Sequence, residues 1–382
     1  MLSALLMSAA VQAQPEPVGA HRWGVQWTRR VQDASTSKEQ RSAPTIVPEH
    51  KLVVVGTDDG SLLALSIGTG AVRWKRTLPG RVSGQPVVWG PAVLVTADDG
   101  FLHALQVKNG STVWALPIGT EPAAPPVVER GRIYLQTGLD QLIVIDLRDG
   151  SEIWSCDRYE DGGRPNQVTI FGHTRPTPVL LPKADRSDAQ RLVLVGSSAG
   201  HLTAYHDDPA EGDCEVVWER QLGETREDFA DVDAGPVVWG GVVYTASYNG
   251  GVFALRLADG RLVWKRPELR GVHRIGVDEG RVYIGARGRV AALTRSKGKT
   301  LWKYRFDGGV PGQPVVRNGV LWFGRDDGPM TLLRAHDGLR LQSLDTGNGF
   351  SATPAVGARL ALVYSNGGVV YLLAKGVVDA LQ

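Results

Sequence analysis

The apolar positions of residues 235–267 fall into four short runs, and a turn signal follows each of the first three. The runs are rich in β-branched and aromatic residues, which is typical of strands, and they lie at 236–238, 242–246, 252–255 and 262–266. The turn signals are Gly240-Gly241, Asn249-Gly250 and Asp259-Gly260. Asn-Gly is the dipeptide that best fits a tight hairpin with positive φ. The pattern predicts a four-stranded up-and-down sheet, which can bury both of its faces only if copies of it are stacked.

Copies of this unit recur along the chain at a period near 40 residues. A turn glycine stands four residues before a tryptophan at Gly70 and Trp74, Gly110 and Trp114, Gly150 and Trp154, Gly260 and Trp264, and Gly298 and Trp302. In a sixth copy two extra residues separate Gly212 from Trp218, and in a seventh Gln342 replaces the tryptophan. Such a period, with four strands and one tryptophan in the last strand, describes a β-propeller blade.

The two ends of the chain together supply an eighth blade. Residues 351–375 contain three strands, and residues 22–30 contain a lone fourth strand with its own tryptophan, Trp27. An open ring would leave two unpaired sheet edges, so closure by the N-terminal strand is favoured. The prediction is an all-β chain: one eight-bladed β-propeller domain over 14–382, built from four-stranded antiparallel blades.

Seven of the eleven tryptophans occupy one position of the repeat. A residue used once per blade is most simply packing between blades, each indole burying on the order of 200 Å². The alternative, a stacking surface for a cofactor or ligand, is less favoured.

The N-terminus has features of an export signal. Residues 2–10 are apolar, and Val11-Gln12-Ala13 has small residues at positions −3 and −1 of a cleavage site. We therefore expect residues 1–13 to be a signal peptide and the protein to be exported, although a simple apolar tail would look similar. No cysteine lies in this segment to carry a lipid, and no other apolar run is long enough to span a bilayer.

The charge of the chain bears on its possible partners, and its two cysteines bear on a possible disulfide. The formal net charge is +2, and with acids and bases interspersed we expect no nucleic-acid partner. In an oxidising compartment Cys156 and Cys214 could form a disulfide that staples neighbouring repeats. Alternatively they are two independent, partly buried thiols.

Two segments interrupt the period, and binding residues concentrate on loops carried by a rigid scaffold. The first, 155–190, contains the apolar cluster Val168, Ile170 and Phe171 in otherwise polar sequence. In the second, 223–234, Asp231 and Asp233 flank Val232 and would point to one side of an extended segment. The apolar cluster is either a small local core or a contact surface. The aspartates either form turn hydrogen bonds or bind a partner.

Sequence motifs for catalysis are missing. The chain contains no HExxH, P-loop or CxxC pattern. Its one GxSxG string, at 196–200, lies between two strand-like runs and not before a helix, where a nucleophile elbow would stand. We therefore expect no catalytic residues, no metal ligands and no cofactor.

The blade motif, as in Ala64-Leu65, Gly70 and Trp74, resembles the quinoprotein-like (pyrroloquinoline quinone repeat) propellers over nearly the whole mature chain. Enzymes of that superfamily use a vicinal cysteine pair and carboxylate ligands to Ca²⁺ around the quinone. This chain has no adjacent cysteines, so the resemblance implies the fold and not the cofactor.

A closer resemblance is to the BamB family of outer-membrane assembly factors. The segment FADVDAGPVV at 229–238 resembles the DVD…PVV stretch of that family, and residues 248–266 continue the match. The resemblance implies a non-catalytic periplasmic scaffold, monomeric within a hetero-complex, that assists insertion of β-barrel proteins. Its expected partners are the POTRA region of a BamA-like insertase and unfolded outer-membrane proteins.

The resemblance also implies contact residues. Asp231 and Asp233 match the acidic pair of the family, and Val168 and Ile170 match two apolar contacts. Phe171 stands where the family pattern has an arginine. The alternatives are a binding module of another exported or cell-surface complex and, less favoured, a quinone-dependent enzyme.

Overall fold

The computed structural model describes residues 22–33, 40, 42–82, 84–119, 124–157, 177–181, 190–207, 214–223, 230–232 and 234–376. Within these ranges 32 strands form eight four-stranded antiparallel sheets. The eight-bladed propeller predicted from the sequence period is confirmed.

The first four blades follow one another in the chain, each contributing four consecutive strands. Blades 1 and 2 consist of β2 (Thr45–Val47), β3 (Leu52–Gly56), β4 (Ser61–Ser66), β5 (Val72–Thr77), β6 (Val87–Trp89), β7 (Ala92–Ala97), β8 (Phe101–Gln106) and β9 (Thr112–Pro117). Blades 3 and 4 consist of β10 (Val127–Glu129), β11 (Arg132–Gln136), β12 (Gln141–Asp146), β13 (Glu152–Asp157), β14 (Thr177–Leu181), β15 (Gln190–Gly196), β16 (His201–His206) and β17 (Val216–Gln221). A short 3-10 turn at Pro48–His50 joins β2 to β3.

The remaining blades complete the ring. Blades 5 and 6 consist of β18 (Ala234–Trp239), β19 (Val242–Ser247), β20 (Gly251–Arg256), β21 (Leu262–Arg266), β22 (Val272–Val277), β23 (Arg281–Ala286), β24 (Arg289–Thr294) and β25 (Thr300–Arg305). Blade 7 consists of β26 (Val315–Arg317), β27 (Val320–Arg325), β28 (Gly328–Arg334) and β29 (Arg340–Leu344). Blade 8 consists of β30 (Ala355–Val356), β31 (Leu360–Ser365), β32 (Val369–Lys375) and the N-terminal β1 (Trp23–Arg30).

The N-terminal strand closes the ring as the sequence predicted. β1 pairs antiparallel with β32, from Trp23 opposite Lys375 to Arg30 opposite Val369. Every sheet in the described chain is thus four strands wide, and blade 8 has no covalent turn between its third and fourth strands.

The core lies between the blades and not within one of them. Eight clusters of buried apolar side chains each join two neighbouring blades. The second and third strands are almost wholly buried, as in β4, whereas the fourth strand alternates, as in β25. First strands of neighbouring blades contact one another, so they lie nearest the axis and fourth strands form the rim.

Because the strands alternate in direction, the loops divide between two faces. The turns that join strands 1–2 and strands 3–4 lie on one face, here called the turn face. The turns that join strands 2–3 and the links between blades lie on the other, here called the connection face. Residues 158–176 of the first interrupting segment and residues 223–233 of the second are links between blades, so both belong to the connection face. Residues 182–189 of the first segment join strands 1 and 2 of blade 4.

The tryptophans pack between blades, as expected. Six of the seven indoles of the repeat lie against the turn glycine of the next blade, and for Trp154 that glycine is outside the described residues. A β-carbon at Gly298, for example, would come within 2.7 Å of Trp264 Cε3. This glycine has φ +64, a conformation that disfavours side chains. The Trp264 Nε1–H also donates to the Arg295 carbonyl, 2.9 Å away. The same donation to the next blade is made by Trp27, Trp74, Trp218 and Trp302.

The exception at Gln342 has a structural cause. Blade 8 has no turn between its third and fourth strands, so a tryptophan in blade 7 would lack the glycine on which to pack. Gln342 instead accepts from the Trp23 N–H at 3.0 Å and donates to the Trp23 carbonyl at 2.6 Å. The Trp23 indole meets Trp322 edge-on, with ring centres 4.9 Å apart. Gln342 therefore secures the first residue of the closing strand.

One turn differs from expectation. Ser247 pairs with Gly251, so three residues form the turn, and the positive φ of 88° falls on Gly251. The expected tight turn with positive φ at Asn249-Gly250 is therefore wrong in its register. The turn between Ala97 and Phe101 in blade 2 has the same three-residue length, so the length belongs to the repeat. In blade 5 the Asn249 side chain is buried and accepts a hydrogen bond from the Ser247 hydroxyl.

The two cysteines form a disulfide between blades 3 and 4, with Cα atoms 5.3 Å apart. Cys156 stands two residues after Trp154. Arg220 and Arg266 hold the same position in blades 4 and 5, where their guanidinium groups donate to the turn carbonyls Gly260 O and Gly298 O. In blade 3 a covalent bond thus replaces a hydrogen bond that other blades make to their neighbour.

Candidate functional site

The candidate site is the connection face around blades 3, 4 and 5, where the two interrupting segments lie. Of the five predicted contact residues, the structure describes Asp231. Val168, Ile170, Phe171 and Asp233 lie outside the described residues, as does the expected signal peptide at 1–13. Their roles remain predictions.

The base of the second segment is fixed between two blades. Val232 N–H donates to the Ser197 carbonyl in the turn of blade 4, at 3.2 Å. On the other side, Tyr248 N–H donates to the Asp231 carbonyl at 3.0 Å, and the Ser247 hydroxyl donates to the Ala230 carbonyl at 2.8 Å. Residues 230–232 therefore bridge the turns of blades 4 and 5 through their backbone.

Close packing explains the small residues beside this bridge. Gly200 ends the turn of blade 4 with φ +80, and a β-carbon there would lie 2.7 Å from the Ala230 carbonyl oxygen. Gly223 N–H donates to the Gly200 carbonyl at 3.1 Å. The link between blades 4 and 5 thus leaves at Gly223 and returns at Ala230, so both ends of 224–229 are held on the connection face.

Asp231 is buried, with 3% of its surface exposed. Val232 is also fully buried, because the segment passes between two turns and is covered on both sides. The Asp231 side chain therefore lies within the protein and not on its outer surface. This burial favours a positioning role for Asp231 at the base of the loop, one of the two interpretations that the sequence left open.

Two further groups line this part of the connection face. The rings of Tyr248 and His273 lie 5.3 Å apart, which extends an aromatic surface from blade 5 towards blade 6. In blade 3, Asp140 adopts φ +61 and its carboxylate accepts from the Ser198 N–H at 3.1 Å. The turns of blades 3, 4 and 5 are thus tied into one continuous support.

Sequence reasoning missed a buried polar group between blades 3 and 4 on the turn face. Asp207 is 2% exposed and accepts from the Tyr134 hydroxyl at 2.8 Å. Arg132 donates to the Asp207 carbonyl and lies 3.4 Å from its Oδ1. Burial raises the pKa of Asp207, while the Tyr134 hydroxyl and Arg132 act against that rise. Burial, with the Asp207 charge second, also raises the pKa of Tyr134 above its usual range.

A metal centre and a membrane-spanning helix are both missing from the described part of the chain. Within those ranges, no group of three or more His, Cys, Asp or Glu side chains could hold a metal ion together. Among the same residues, no helix has the length and apolar character needed to cross a bilayer.

Comparison with known proteins supports a specific class. The structure superposes on BamB from Moraxella catarrhalis with a TM-score of 0.73 at 18% identity, covering 92% of this chain and all of that one. Quinohemoprotein alcohol dehydrogenase from Comamonas testosteroni gives a TM-score of 0.71 at 14% identity, covering 97% of this chain and 79% of that enzyme. At these identities the likeness establishes the fold alone, a β-propeller.

Sequence comparison identifies the family. The model of the family described as "Outer membrane protein assembly factor BamB" matches residues 8–125, 90–275 and 252–382. BamB from Yersinia pestis is 31% identical over 211 residues, 52% of either chain. The chain belongs to the BamB family of outer membrane protein assembly factors. The aligned part spans about half the length of the curated relatives it matches.

Proposed function

We propose that this protein is a non-catalytic periplasmic scaffold for the insertion of β-barrel proteins into the outer membrane. In this role it binds the POTRA region of a BamA-like insertase. The observation that carries the proposal is the match of the BamB family model along the chain. The protein would act by holding its partner in place, so no catalytic step is part of the proposal.

The arrangement of the loops supports binding on the connection face. The segments 158–176 and 224–229 join blade 3 to blade 4 and blade 4 to blade 5, so they leave the ring on the same face and flank one blade. Loops that leave neighbouring blades on one face can contact a single partner domain. We assign the partner contact to Val168, Ile170 and Phe171 in the first segment and to Asp233, which follows the second within the interruption at 223–234.

The support beneath these loops favours binding without rearrangement. The disulfide and the hydrogen bonds of Ala230, Asp231 and Val232 fix the flanks of both segments before a partner arrives. A preformed site loses less conformational entropy on binding than a mobile one. Asp231 contributes to this support from within the protein, whereas Asp233 is proposed to face the partner.

A binding assay tests the proposal. The purified protein is mixed with the periplasmic domains of BamA from the same genome, and the affinity is measured by calorimetry. We expect binding that Val168→Asp with Ile170→Asp abolishes and that Asp233→Arg weakens. Glu279→Arg, an exposed charge reversal on the turn face, is the matched control and should bind as the native protein does.

The outcomes separate the role from the site. No binding by the native protein would contradict the insertase role and favour a propeller adaptor of another exported complex. Equal binding by the native protein and the loop variants would support the insertase role but show that the interface lies outside these two loops. Asp231→Arg is unsuitable as a contact test, because a larger side chain of opposite charge at a buried position would disturb the loop itself.

A further inference from the structure

Charge is not spread evenly around the ring, contrary to the expectation from the whole sequence. Residues 251–306, mainly blades 5 and 6, contain 14 Lys and Arg against 4 Asp and Glu, a formal charge of +10. The other 326 residues contain 28 against 36, a formal charge of −8. A net charge of +2 therefore conceals a strongly basic sector.

Three arginines of this sector meet at the connection-face end of blade 6. Arg289 begins β24 and Arg305 ends β25, and the two are direct cross-strand partners. Directly opposite residues have β-carbons about 5 Å apart and point to the same side of the sheet. Arg287 lies in the adjoining turn, so Arg287, Arg289 and Arg305, here called the arginine cluster, lie at one edge of the blade.

Like charges placed directly opposite destabilise a sheet, and acidic side chains do not offset them here. Among the ion pairs of the described residues, none involves Arg287, Arg289 or Arg305. Arg289 uses Nη2 to donate to the Arg270 carbonyl, 2.7 Å away. The nearby acid Glu268 is paired with Arg266, at 2.6 Å.

Three arginines at turns between strands 3 and 4, on the turn face, are each paired with an acid. Arg148 is paired with Asp146, Arg256 with Asp259, and Arg334 with Asp337, each acid within three residues in the chain. The arginine cluster, at the opposite, connection-face end of blade 6, has no such pair among the described residues. Placing Arg289 opposite Arg305 lowers the stability of the free protein. An anion that binds between the two guanidinium groups would offset this cost.

The number of converging charges indicates which anion. A carboxylate carries one negative charge and satisfies one guanidinium fork, whereas a phosphomonoester carries about −1.5 to −2 and three acceptor oxygens. Arg287 and Arg305 are exposed, so the cluster is open to a large surface. Lys303, on the same side of β25 as Arg305, continues this edge along the rim, where the Glu268 carboxylate lies near it.

We propose that the arginine cluster binds the phosphomonoester group of an anionic lipid and docks this edge of the propeller on a membrane surface. The site is separate from the proposed insertase contact and does not depend on it. Arg289 and Arg305 would share the phosphate oxygens, with Arg287 completing the contact from the turn.

Vesicle co-sedimentation tests the proposal with the full protein. The probes are phosphatidylcholine vesicles alone or with a minor fraction of phosphatidic acid or phosphatidylglycerol. We expect binding to phosphatidic acid, weaker binding to the phosphodiester phosphatidylglycerol and none to phosphatidylcholine. Arg287→Gln with Arg305→Gln should weaken binding about 30-fold, since a basic residue at a membrane surface contributes about 1 kcal/mol.

The matched control is Lys297→Gln with Lys299→Gln, which removes the same charge from exposed positions on the turn face of the same blade. It should bind as the native protein does. Equal losses in both double variants would overturn the proposal, because only net charge would then matter. Tighter binding to inorganic phosphate, a single-stranded oligonucleotide or polyglutamate than to the vesicles would also overturn it.

The unfolding temperature of the arginine double variant distinguishes a loss of lipid binding from misfolding. Loss of Arg305 removes a repulsion, so the arginine double variant should unfold at the native temperature or above it. A lower unfolding temperature would show that the cluster has a structural role, contrary to the proposal.

Discussion

Substitution of a turn glycine by alanine should reveal how strongly a tryptophan holds two blades together. At Gly298 the added methyl group would lie 2.7 Å from Trp264 Cε3 and 2.9 Å from two further ring atoms. Normal carbon contacts are 3.5–4.0 Å, so the indole would have to shift by roughly 1 Å. Such overpacking costs about 1–3 kcal/mol.

Backbone strain adds a second cost, which can be measured separately. Gly298 has φ +64, and a left-handed conformation costs a side-chain-bearing residue about 1–2 kcal/mol. Gly90 has φ +54, but a β-carbon added there would meet no atom within 4 Å, so Gly90→Ala measures strain alone. We therefore expect Gly298→Ala to cost about 2–5 kcal/mol and Gly90→Ala about 1–2 kcal/mol.

A double-mutant cycle isolates the contact with the ring. Trp264→Ala alone should cost about 3–5 kcal/mol, because it removes a buried indole. In that background the methyl group at position 298 meets no ring, so Gly298→Ala should cost only the strain, about 1–2 kcal/mol. The difference between the two backgrounds is the coupling between glycine and indole, expected at about 1–3 kcal/mol.

Urea unfolding followed by both far-UV circular dichroism and fluorescence gives these free energies, provided that the two transitions coincide. An equal cost of Gly298→Ala with and without the tryptophan would refute the reasoning. A cost no larger than that of Gly90→Ala would refute it as well. In either case the glycine would serve only the turn, and the indole would pack independently of it.

Three further changes test other contacts. Gln342→Ala leaves the backbone groups of Trp23 without partners at the closing strand, and should lower the free energy of unfolding by about 1–3 kcal/mol in urea titrations; an unchanged midpoint would contradict the closing role. Cys156→Ser with Cys214→Ser opens a loop of 58 residues. It should cost about 4 kcal/mol by the loop-entropy relation, and hydrogen exchange should rise in blades 3 and 4 before it rises elsewhere. Burial raises the pKa of Asp207 in the folded state, so its contribution to stability is present below the unfolded pKa and is lost as pH rises through the folded pKa. Asp207→Asn should abolish that part of the pH dependence, and an unaltered slope above pH ~4 would show that the group does not titrate there.

The sequence was sufficient for the fold because the fold repeats. In six blades a tryptophan packs on the turn glycine of the next blade, so the same two residues recur along the chain. The period near 40 residues therefore predicts both the blades and the closing strand. The meaning of Gln342 could not be read in the same way. The residue that explains it, Trp23, lies 319 positions away and contacts it only when the ring is closed.

The candidate site was predicted less completely, for two physical reasons. The choice between a disulfide and two separate thiols depended on a distance, which the propeller geometry supplies and the sequence does not. At Asp231, strand alternation predicts one covered side, but a segment held between the turns of two blades is covered on both. The arginine cluster is visible in the sequence only when charge is summed blade by blade instead of over the whole chain.

In blade 8 the third strand, β32, and the fourth strand, β1, come from opposite ends of the chain and are not joined by a turn. This gap, here called the seam, could stand in any of the blades without changing the ring. Gly376 N–H donates to the Arg22 carbonyl at 2.8 Å, so the two ends of the described chain already touch on the turn face. A short linker from Gly376 to Arg22 would turn the seam into an ordinary hairpin, and new ends could be opened at Gly90, in an exposed turn of blade 2. Such a circular permutant should keep the same ring with a different starting blade. In that permutant Gln342→Trp should be favourable, because the linker would supply the turn on which an indole packs.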